Sequence, residues 1–218
     1  MEHNIGVFTK LVEEYKVYYL RRDEEYIVAK YFRPQKKVLV LGCGAGRTLL
    51  PLYEKGFEVT GIDITPKMVE AAKAKVSGLP IQVFEMDACH LKFPKNSFDI
   101  VFFPYHGISY IYPDIFKAVS EAQRVMKPNG FFVFCTYNRF CLKALPRFFE
   151  GTYANYYGII VYRTTPLDWW KVKRMFKVVN IIPLNSIAVT WKDATWKEKI
   201  YKLLPFFDAS TYFICMGK

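Results

Sequence analysis

The stretch VLVLGCGAGR, Val38 to Arg47, predicts the fold of this chain. Its apolar start lies between Lys37 and Gly42 and is typical of a strand that is buried on both faces of a parallel sheet. Glycines at 42, 44 and 46 permit a tight turn with positive φ and a close backbone approach. Helical character follows over Arg47 to Lys55. We therefore expect a ligand over the glycine turn, outside the carboxyl end of the strand.

Two further predicted strands end in acids. FEVTGID ends at Asp63, 19 residues after Gly44, and IQVFEMD ends at Asp87. A carboxylate at Asp63 can accept hydrogen bonds from both hydroxyls of a ribose. The glycine spacing is G-x-G-x-G with Arg47 next, whereas a dinucleotide pyrophosphate site has G-x-G-x-x-G. A dinucleotide-dependent oxidoreductase is therefore a disfavoured alternative.

Residues 36 to 137 closely resemble the class I S-adenosylmethionine-dependent methyltransferases. The resemblance lies in VLVLGCGAG as the first motif, Asp63 as the ribose acid, MDA (Met86 to Ala88) as the adenine-edge segment, FDIV (Phe98 to Val101) as the fourth strand, and RVMKPNG before a fifth strand FFVFCTY. It implies a Rossmann-like three-layer αβα sandwich. The sheet would be mostly parallel and seven-stranded, with an antiparallel C-terminal strand and a small helical, aromatic lid.

The resemblance also implies S-adenosyl-L-methionine as cofactor, S-adenosyl-L-homocysteine as product, and no metal. The candidate cofactor residues are Gly42, Cys43, Gly44, Gly46, Asp63, Ile64, Asp87, Ala88, Pro104, Tyr15 and Tyr19. Tyr15 and Tyr19 are included because an N-terminal tyrosine covers the methionine end of the cofactor in similar enzymes. Tyr18 is considered with them, and core packing is the alternative for all three. The alternative role for Asp87 is to cap a turn. The alternative for Cys43 is that it is only a small, unreactive side chain.

Acceptor-side candidates follow the fourth and fifth predicted strands. Tyr105, His106 and Tyr137 are the catalytic candidates, with Asn138 beside them. His106 is a candidate general base because the ordinary pKa of imidazole lies near neutrality; hydrogen bonding to a loop carbonyl is the alternative. Pro104-Tyr105 partly resembles the Asp/Asn-Pro-Pro-Tyr motif of enzymes that methylate base amino groups. Phe102 and Phe103 replace its polar residue, which argues against that chemistry.

The 218 residues predict a single domain. We divide it into an N-terminal helical cap (1–35), a cofactor-binding core (36–137) and a substrate-side half (138–218). Asn138 to Tyr157 and Leu184 to Ala209 are expected to form a lid or wall over the substrate. Thr65 and Thr165 are predicted helix N-caps, each followed by proline, and Thr211 to Lys218 a final edge strand.

The net charge is +11, and Arg139 to Lys218 has 13 Lys or Arg against 5 Asp or Glu, which gives +8. This excess favours RNA, an acidic lipid surface or a charged small substrate as partner, with a solvated surface as the alternative. Five cysteines without a CxxC pair suit a reducing cytoplasm. We find no signal peptide and no transmembrane segment in the sequence.

These observations leave several functions open. The first is a cytoplasmic methyltransferase that acts on a small-molecule or lipid-like acceptor in an apolar pocket. RNA (tRNA) methylation through the basic C-terminal surface is an alternative, although no known RNA-binding module is present. A non-catalytic S-adenosylmethionine-binding partner subunit is another, since fold does not determine function. The sequence does not indicate the oligomeric state.

Overall fold

The computed structural model describes residues 2–111, 114–141, 151–156, 158–184, 196–204 and 210–217. Its strands are β1 (Lys37–Leu41), β2 (Glu58–Asp63), β3 (Gln82–Glu85), β4 (Phe98–Phe103), β5 (Met126–Asn138), β6 (Tyr153–Tyr156), β7 (Ile159–Thr164), β8 (Val178–Pro183) and β9 (Ser210–Met216). Its α-helices are α1 (Glu2–Lys10), α2 (Arg22–Tyr31), α3 (Leu49–Glu54), α4 (Pro66–Lys75), α5 (Ile115–Val125), α6 (Pro166–Met175) and α7 (Trp196–Leu203). Two 3₁₀ turns lie at Glu13–Tyr15 and Gly107–Tyr110.

β1 lies inside the sheet, as its apolar sequence predicts. The order β3-β2-β1-β4-β5 is parallel throughout, with Val40 opposite Gly61 on one side and Phe102 on the other. Parallel neighbours place the carboxyl ends of β1, β2 and β4 at one edge of the sheet. This is the edge at which the sequence predicts a ligand.

The sheet has nine strands among the described residues rather than the expected seven. The C-terminal end of β5 pairs in parallel with β7, and β6 and β7 form an antiparallel hairpin. The remainder of β5 pairs with antiparallel β9, which also pairs with β8. The prediction that the last strand is an edge strand is therefore wrong. Ser210 to Cys215 are all buried, because β9 is covered by a strand on each side.

Helices cover both faces of the sheet, which confirms the three-layer αβα sandwich. Residues of α2, α3 and α4 belong to one buried apolar cluster, and residues of α5 and α6 belong to the other. α6 begins with the predicted cap, in which the Thr165 hydroxyl accepts from the Asp168 N–H. α4 begins at Pro66 as predicted, but Thr65 makes no side-chain capping bond. Its backbone N–H donates instead to Asp63.

The predicted lid lies largely outside the described residues. Of Leu184 to Ala209, the structure describes Leu184 and residues 196–204; of Asn138 to Tyr157, it describes 138–141 and 151–156. The second range contributes β6 to the sheet. Among the described helices, none is both long and apolar enough to cross a membrane.

Candidate active site

A pocket lies at the carboxyl ends of β1, β2 and β4, where the sequence predicts the ligand. It has a volume of about 950 Å³, open solvent included. Its lining consists of Asn4, Ile5, Phe8, Tyr15, Gly42, Cys43, Gly44, Ala45, Arg47, Thr48, Asp63, Ile64, Thr65, Met68, Met86, Asp87, Ala88, Phe103, Pro104, Tyr105, Gly107, Tyr110 and Ile111. All the predicted cofactor residues except Gly46 and Tyr19 belong to it.

The glycine turn forms one wall of the pocket. Gly42 and Gly44 have φ of +59° and +55°, a conformation that strains other residues. A Cβ on Gly42 would lie 2.8 Å from the Phe103 ring, whereas a Cβ on Gly44 would have only Tyr15 within 4 Å, at 3.9 Å. Gly44 therefore keeps space free above the turn. At Gly46 an added Cβ would meet Ala72 and Lys75 of α4 at 3.2–3.3 Å, and the role of Gly46 at the cofactor stays a prediction.

Asp63 is fixed at the end of β2 by two backbone donors. Its Oδ2 accepts from the Gly44 N–H at 2.8 Å, and its Oδ1 accepts from the Thr65 N–H at 2.9 Å. Burial raises the pKa of Asp63, and these hydrogen bonds lower it in part. The carboxylate thus links the glycine turn to the start of α4 and lines the pocket between them.

Asp87 has both a turn-capping bond and a place in the pocket lining. Its Oδ1 accepts from the Cys89 N–H at 2.8 Å, and its Oδ2 lies 3.1 Å from His90 Nδ1. The capping alternative is therefore observed. Ala88 lines the pocket beside it, and a role for either residue at an adenine edge stays a prediction.

Aromatic side chains form the opposite wall. Phe8 makes edge contacts with Tyr15 and Tyr110, and Tyr15 makes one with Tyr105. Burial raises the pKa of Tyr15 to about 12 and raises that of Tyr110 further, so both phenols remain protonated at neutral pH. This end of the pocket is apolar with neutral hydroxyl groups.

α1 is held over the pocket by the buried Asn4. The Asn4 amide nitrogen donates to the carbonyls of Tyr110 and Ile160 at 3.2 and 2.8 Å, and its Oδ1 accepts from the Ile160 N–H at 2.8 Å. These bonds tie α1 to β7 and to the 3₁₀ turn after β4. Ile5 and Phe8 thereby become part of the pocket wall.

The chain after β4 adopts an unusual backbone conformation. Tyr105 and His106 have φ of +51° and +59°, which is rare for two successive residues other than glycine. The Tyr105 ring lies 5.0 Å from the Arg21 guanidinium and 5.3 Å from that of Arg47. Strained residues of this kind cluster at functional sites and persist only where their surroundings hold them. The two cations on the ring supply such surroundings.

Arg47 is itself held by a buried ion pair. Its two terminal nitrogens donate to the two oxygens of Glu24 at 2.6 Å each, and one also donates to the Tyr19 carbonyl at 2.9 Å. The Glu24 side chain is fully buried, and that of Arg47 is 11% exposed. The pair connects α2 to the residue that directly follows the glycine turn.

His106 and Tyr137 lie outside the pocket lining, whereas Tyr105 lies in it. The His106 imidazole stacks on the Tyr137 ring at 3.9 Å, and its Nε2 lies 2.7 Å from the Ser210 hydroxyl. The side-chain partner is thus a hydroxyl rather than a loop carbonyl. Burial, with help from Arg21, lowers the pKa of His106 to about 3. The catalytic roles of these three residues stay predictions.

Several lining residues were missed by sequence reasoning. Asn4, Phe8 and Tyr110 lie on helical turns whose contact with the pocket depends on tertiary packing. Arg47 was noted only as a departure from the dinucleotide pattern. Tyr19 was predicted to bind cofactor, but it is half-exposed and its ring lies 5.8 Å from the Arg47 guanidinium.

The structure gives no sign of a reactive thiol at the glycine turn or of a metal site among the described residues. All five cysteines are buried, and burial raises the pKa of Cys43 well above its usual value. The thiol in the glycine turn is therefore protonated and unreactive. Within the described part of the chain, no group of three or more His, Cys, Asp or Glu side chains is placed to hold a metal ion.

Comparison with known proteins places the chain in a family. A family model described as "Methyltransferase domain" matches residues 38–130. The demethylmenaquinone methyltransferase of Symbiobacterium thermophilum is 30% identical over 205 residues, which cover 88% of this chain and 77% of that protein. The chain belongs to the class I S-adenosylmethionine-dependent methyltransferases. The Bacillus subtilis protein YqeM is 33% identical over 126 residues, 56% of this chain, and the match spans only half of YqeM.

A solved methyltransferase structure has the same fold. It is phosphoethanolamine N-methyltransferase 2 of Haemonchus contortus, in complex with phosphomonomethylethanolamine and S-adenosylhomocysteine. The TM-score is 0.63 at 17% identity, over 90% of this chain and 52% of the other. At this identity the likeness concerns the fold alone.

The pocket of this methyltransferase family member fits S-adenosylmethionine on its own chemistry. A Cβ on Gly44 would enter the space above the glycine turn, which shows that the backbone is open there to a ligand. The Asp63 carboxylate offers acceptor oxygens for ribose hydroxyls, and Ile64 and Met68 offer apolar surface beside it. The acceptor oxygens and the apolar surface beside them therefore suit the nucleoside part of S-adenosylmethionine.

Proposed function

We propose that this chain transfers the methyl group of S-adenosylmethionine to a small-molecule or lipid-like acceptor. The observation that supports this proposal is that one pocket has two chemically different ends. Acids and open backbone lie at the glycine turn, and apolar and aromatic side chains lie under α1. The Symbiobacterium thermophilum relative, of which the match covers 77%, is named as a demethylmenaquinone methyltransferase. The substrate in that name is a small lipid-like molecule.

Most of the residues that would hold the cofactor lie at the ends of four strands, β1 to β4. Asp63 would accept the ribose hydroxyls, and Ile64 would pack on the adenine with Asp87 and Ala88 at its edge. Gly42, Cys43 and Gly44 would give the methionine part access to backbone, with Pro104 and Tyr15 on its other side. Gly46 lies against α4, and a contact between it and the cofactor stays a prediction.

The acceptor end favours an apolar molecule. Ile5, Phe8, Tyr110 and Ile111 line it, and its one amide side chain, Asn4, is bonded to backbone. An anionic acceptor would lose hydration there without gaining a free cation, because Arg47 is already paired with Glu24. Shape and apolar contact would therefore select the acceptor.

The chemistry requires positioning more than proton transfer. S-adenosylmethionine, when bound, supplies an electrophilic methyl group on a sulfonium that departs as a neutral thioether. Tyr105, Tyr15 and Phe8 would orient the acceptor and exclude water, and such orientation can supply several kcal/mol of a barrier. With its pKa near 3, His106 would remain neutral and hold Tyr137 and the strained loop in place. A positioning role for His106 therefore fits the structure better than that of a general base.

RNA methylation is the competing function, favoured by the charge of +8 in residues 139–218. Labelled methyl transfer from S-adenosylmethionine into a cell extract separates the two, if RNA, protein, organic-soluble and small aqueous pools are counted apart. We expect label in the organic or small aqueous pool. Label in RNA that falls steeply with salt would contradict the proposal.

Two variants make this assay specific. Asp63→Ala removes the acid at the pocket and is expected to abolish transfer. Glu58→Ala removes an exposed acid at the opposite end of the same strand, where it pairs with Lys37, and is expected to leave transfer unchanged. Equal transfer by both variants would exclude the pocket as the site.

A further inference from the structure

α6 begins at the same edge of the sheet as the pocket. β7 runs parallel to the end of β5, with Asn138 opposite Thr164, so both strands end at the carboxyl edge. α6 starts two residues later, at Pro166. Its first turn therefore lies at the carboxyl edge of the sheet.

α6 exposes two large apolar side chains there. Leu167 is 60% exposed and Trp170 is 52% exposed. Their spacing of three residues places them on one side of the helix. Trp169 and Val172 are buried in the core, so α6 is packed against the sheet with this apolar pair directed to solvent.

The same side of α6 is basic. Lys171, Lys173 and Arg174 are exposed, and no described carboxylate forms an ion pair with any of them. The only acid of the helix, Asp168, is buried and accepts from the Tyr162 hydroxyl and from Thr165. The Arg174 guanidinium lies 4.6 Å from the Trp170 ring. Exposed cations thus surround an exposed apolar pair, and we call these five residues the α6 face.

A second apolar group lies on the neighbouring insertion. α7 lies in the chain between the end of β8 and the start of β9, where Pro183 is opposite Thr211 at the carboxyl edge. Leu203 and Leu204, at its end, are 70% and 41% exposed.

We infer that the α6 face docks this chain on an anionic lipid surface. Leu167 and Trp170 would enter the boundary between headgroups and acyl chains, where Trp is favoured, and the three cations would contact anionic headgroups. Leucine decides between lipid and RNA, because an exposed Leu gains nothing from phosphate but gains free energy in an apolar layer. This inference rests on the α6 face and does not depend on which acceptor the enzyme methylates.

Vesicle co-sedimentation of the full chain tests the inference. The probes are phosphatidylcholine vesicles with and without phosphatidylglycerol, at low and high salt. We expect binding to the anionic vesicles only, and weaker binding at high salt. Lys173→Glu with Arg174→Glu should weaken it by at least roughly 25-fold, since loss of each surface cation costs about fivefold and the new carboxylates add repulsion. Leu167→Ser with Trp170→Ser should weaken it by a similar factor.

A matched control reverses two charges elsewhere. The control variant is Lys55→Glu with Lys73→Glu, which reverses two exposed lysines on or beside helices of the other sheet face. Once the effect of its lower net charge is subtracted, it should bind vesicles within about twofold of the unchanged chain. S-adenosylhomocysteine affinity of every variant confirms that it is folded and reports on the proposed function separately. Equal loss in the control, equal binding to both vesicle types, or no vesicle binding would overturn the inference. The inference would also be overturned if the chain bound RNA and if only the variant Lys173→Glu with Arg174→Glu, not Leu167→Ser with Trp170→Ser, lost that binding.

Discussion

Glu24→Ala is expected to destabilise the chain strongly. Glu24 accepts three hydrogen bonds, two from Arg47 at 2.6 Å and one from the Arg21 N–H at 2.8 Å. The variant leaves the buried Arg47 guanidinium with the Tyr19 carbonyl as hydrogen-bond acceptor and the Tyr19 and Tyr105 rings beside it, but with no carboxylate. It also removes the carboxylate that caps the first turn of α2.

The expected cost follows from this burial. Removal of one partner of a buried ion pair costs about 3–5 kcal/mol. For a domain of this length that corresponds to a fall in melting temperature of about 6–20 °C. Replacement of both partners, as in Glu24→Leu with Arg47→Met, should cost less than Glu24→Ala alone, because no unpaired charge is left in the core.

Thermal and denaturant unfolding measure these differences. The control is Glu13→Ala, which removes the exposed ion pair of Glu13 with Lys16 and should cost no more than about 1 kcal/mol. A cost for Glu24→Ala as small as that of the control would refute the argument from burial. So would a double variant less stable than Glu24→Ala.

Three other predictions concern the pocket walls and the buried His106 beside them. Asn4→Ala removes three hydrogen bonds to backbone and should speed hydrogen exchange in α1, whereas His3→Ala removes one exposed bond to the Gly158 carbonyl and should have less effect; equal exchange would show that Asn4 does not hold the helix. His106 has a folded pKa of about 3 against an ordinary 6.5, so only the unfolded chain is protonated between these values and stability should fall as pH drops below about 6.5, by at most about 1.4 kcal/mol per pH unit from this group. Unfolding measured against pH should show a shallower decline in His106→Gln, and parallel curves would contradict the buried neutral imidazole. Gly107→Ala places a Cβ against the Phe103 ring and should cost about 1–3 kcal/mol by chemical denaturation, while Gly6→Ala, with nothing within 4 Å, should be neutral or stabilising; equal stability of the two would contradict the packing at the 3₁₀ turn.

The sequence predicted the parts of the site that depend on local chemistry. The glycine turn and Asp63 were predicted because buried strands, glycines and strand-end acids have local signatures, and parallel pairing places strand ends together. The N-cap of α6 was predicted for the same reason, since Thr165 and Pro166 lie next to each other in the sequence; the reciprocal bond from Asp168 was found only in the structure.

Tertiary packing determines what the sequence did not predict. Asn4 lies 156 residues from Ile160, and no local pattern indicates that a helix amide pairs with a distant strand. β9 was expected at an edge, but β8 covers it, because two strands separated by an insertion pair with each other. Gly46 was assigned to the cofactor from the motif, but it is absent from the pocket lining, and an added Cβ there would meet α4.

The most direct test of the central claim is calorimetric titration of the chain with S-adenosylhomocysteine. The account predicts binding that Asp63→Ala weakens by about 1–3 kcal/mol, since polar groups of the ligand lose their partner. Glu58→Ala, on the same strand, should bind like the unchanged chain. Unchanged affinity in Asp63→Ala, or tighter binding of NAD than of S-adenosylhomocysteine, would contradict the claim that this pocket holds the methyl donor.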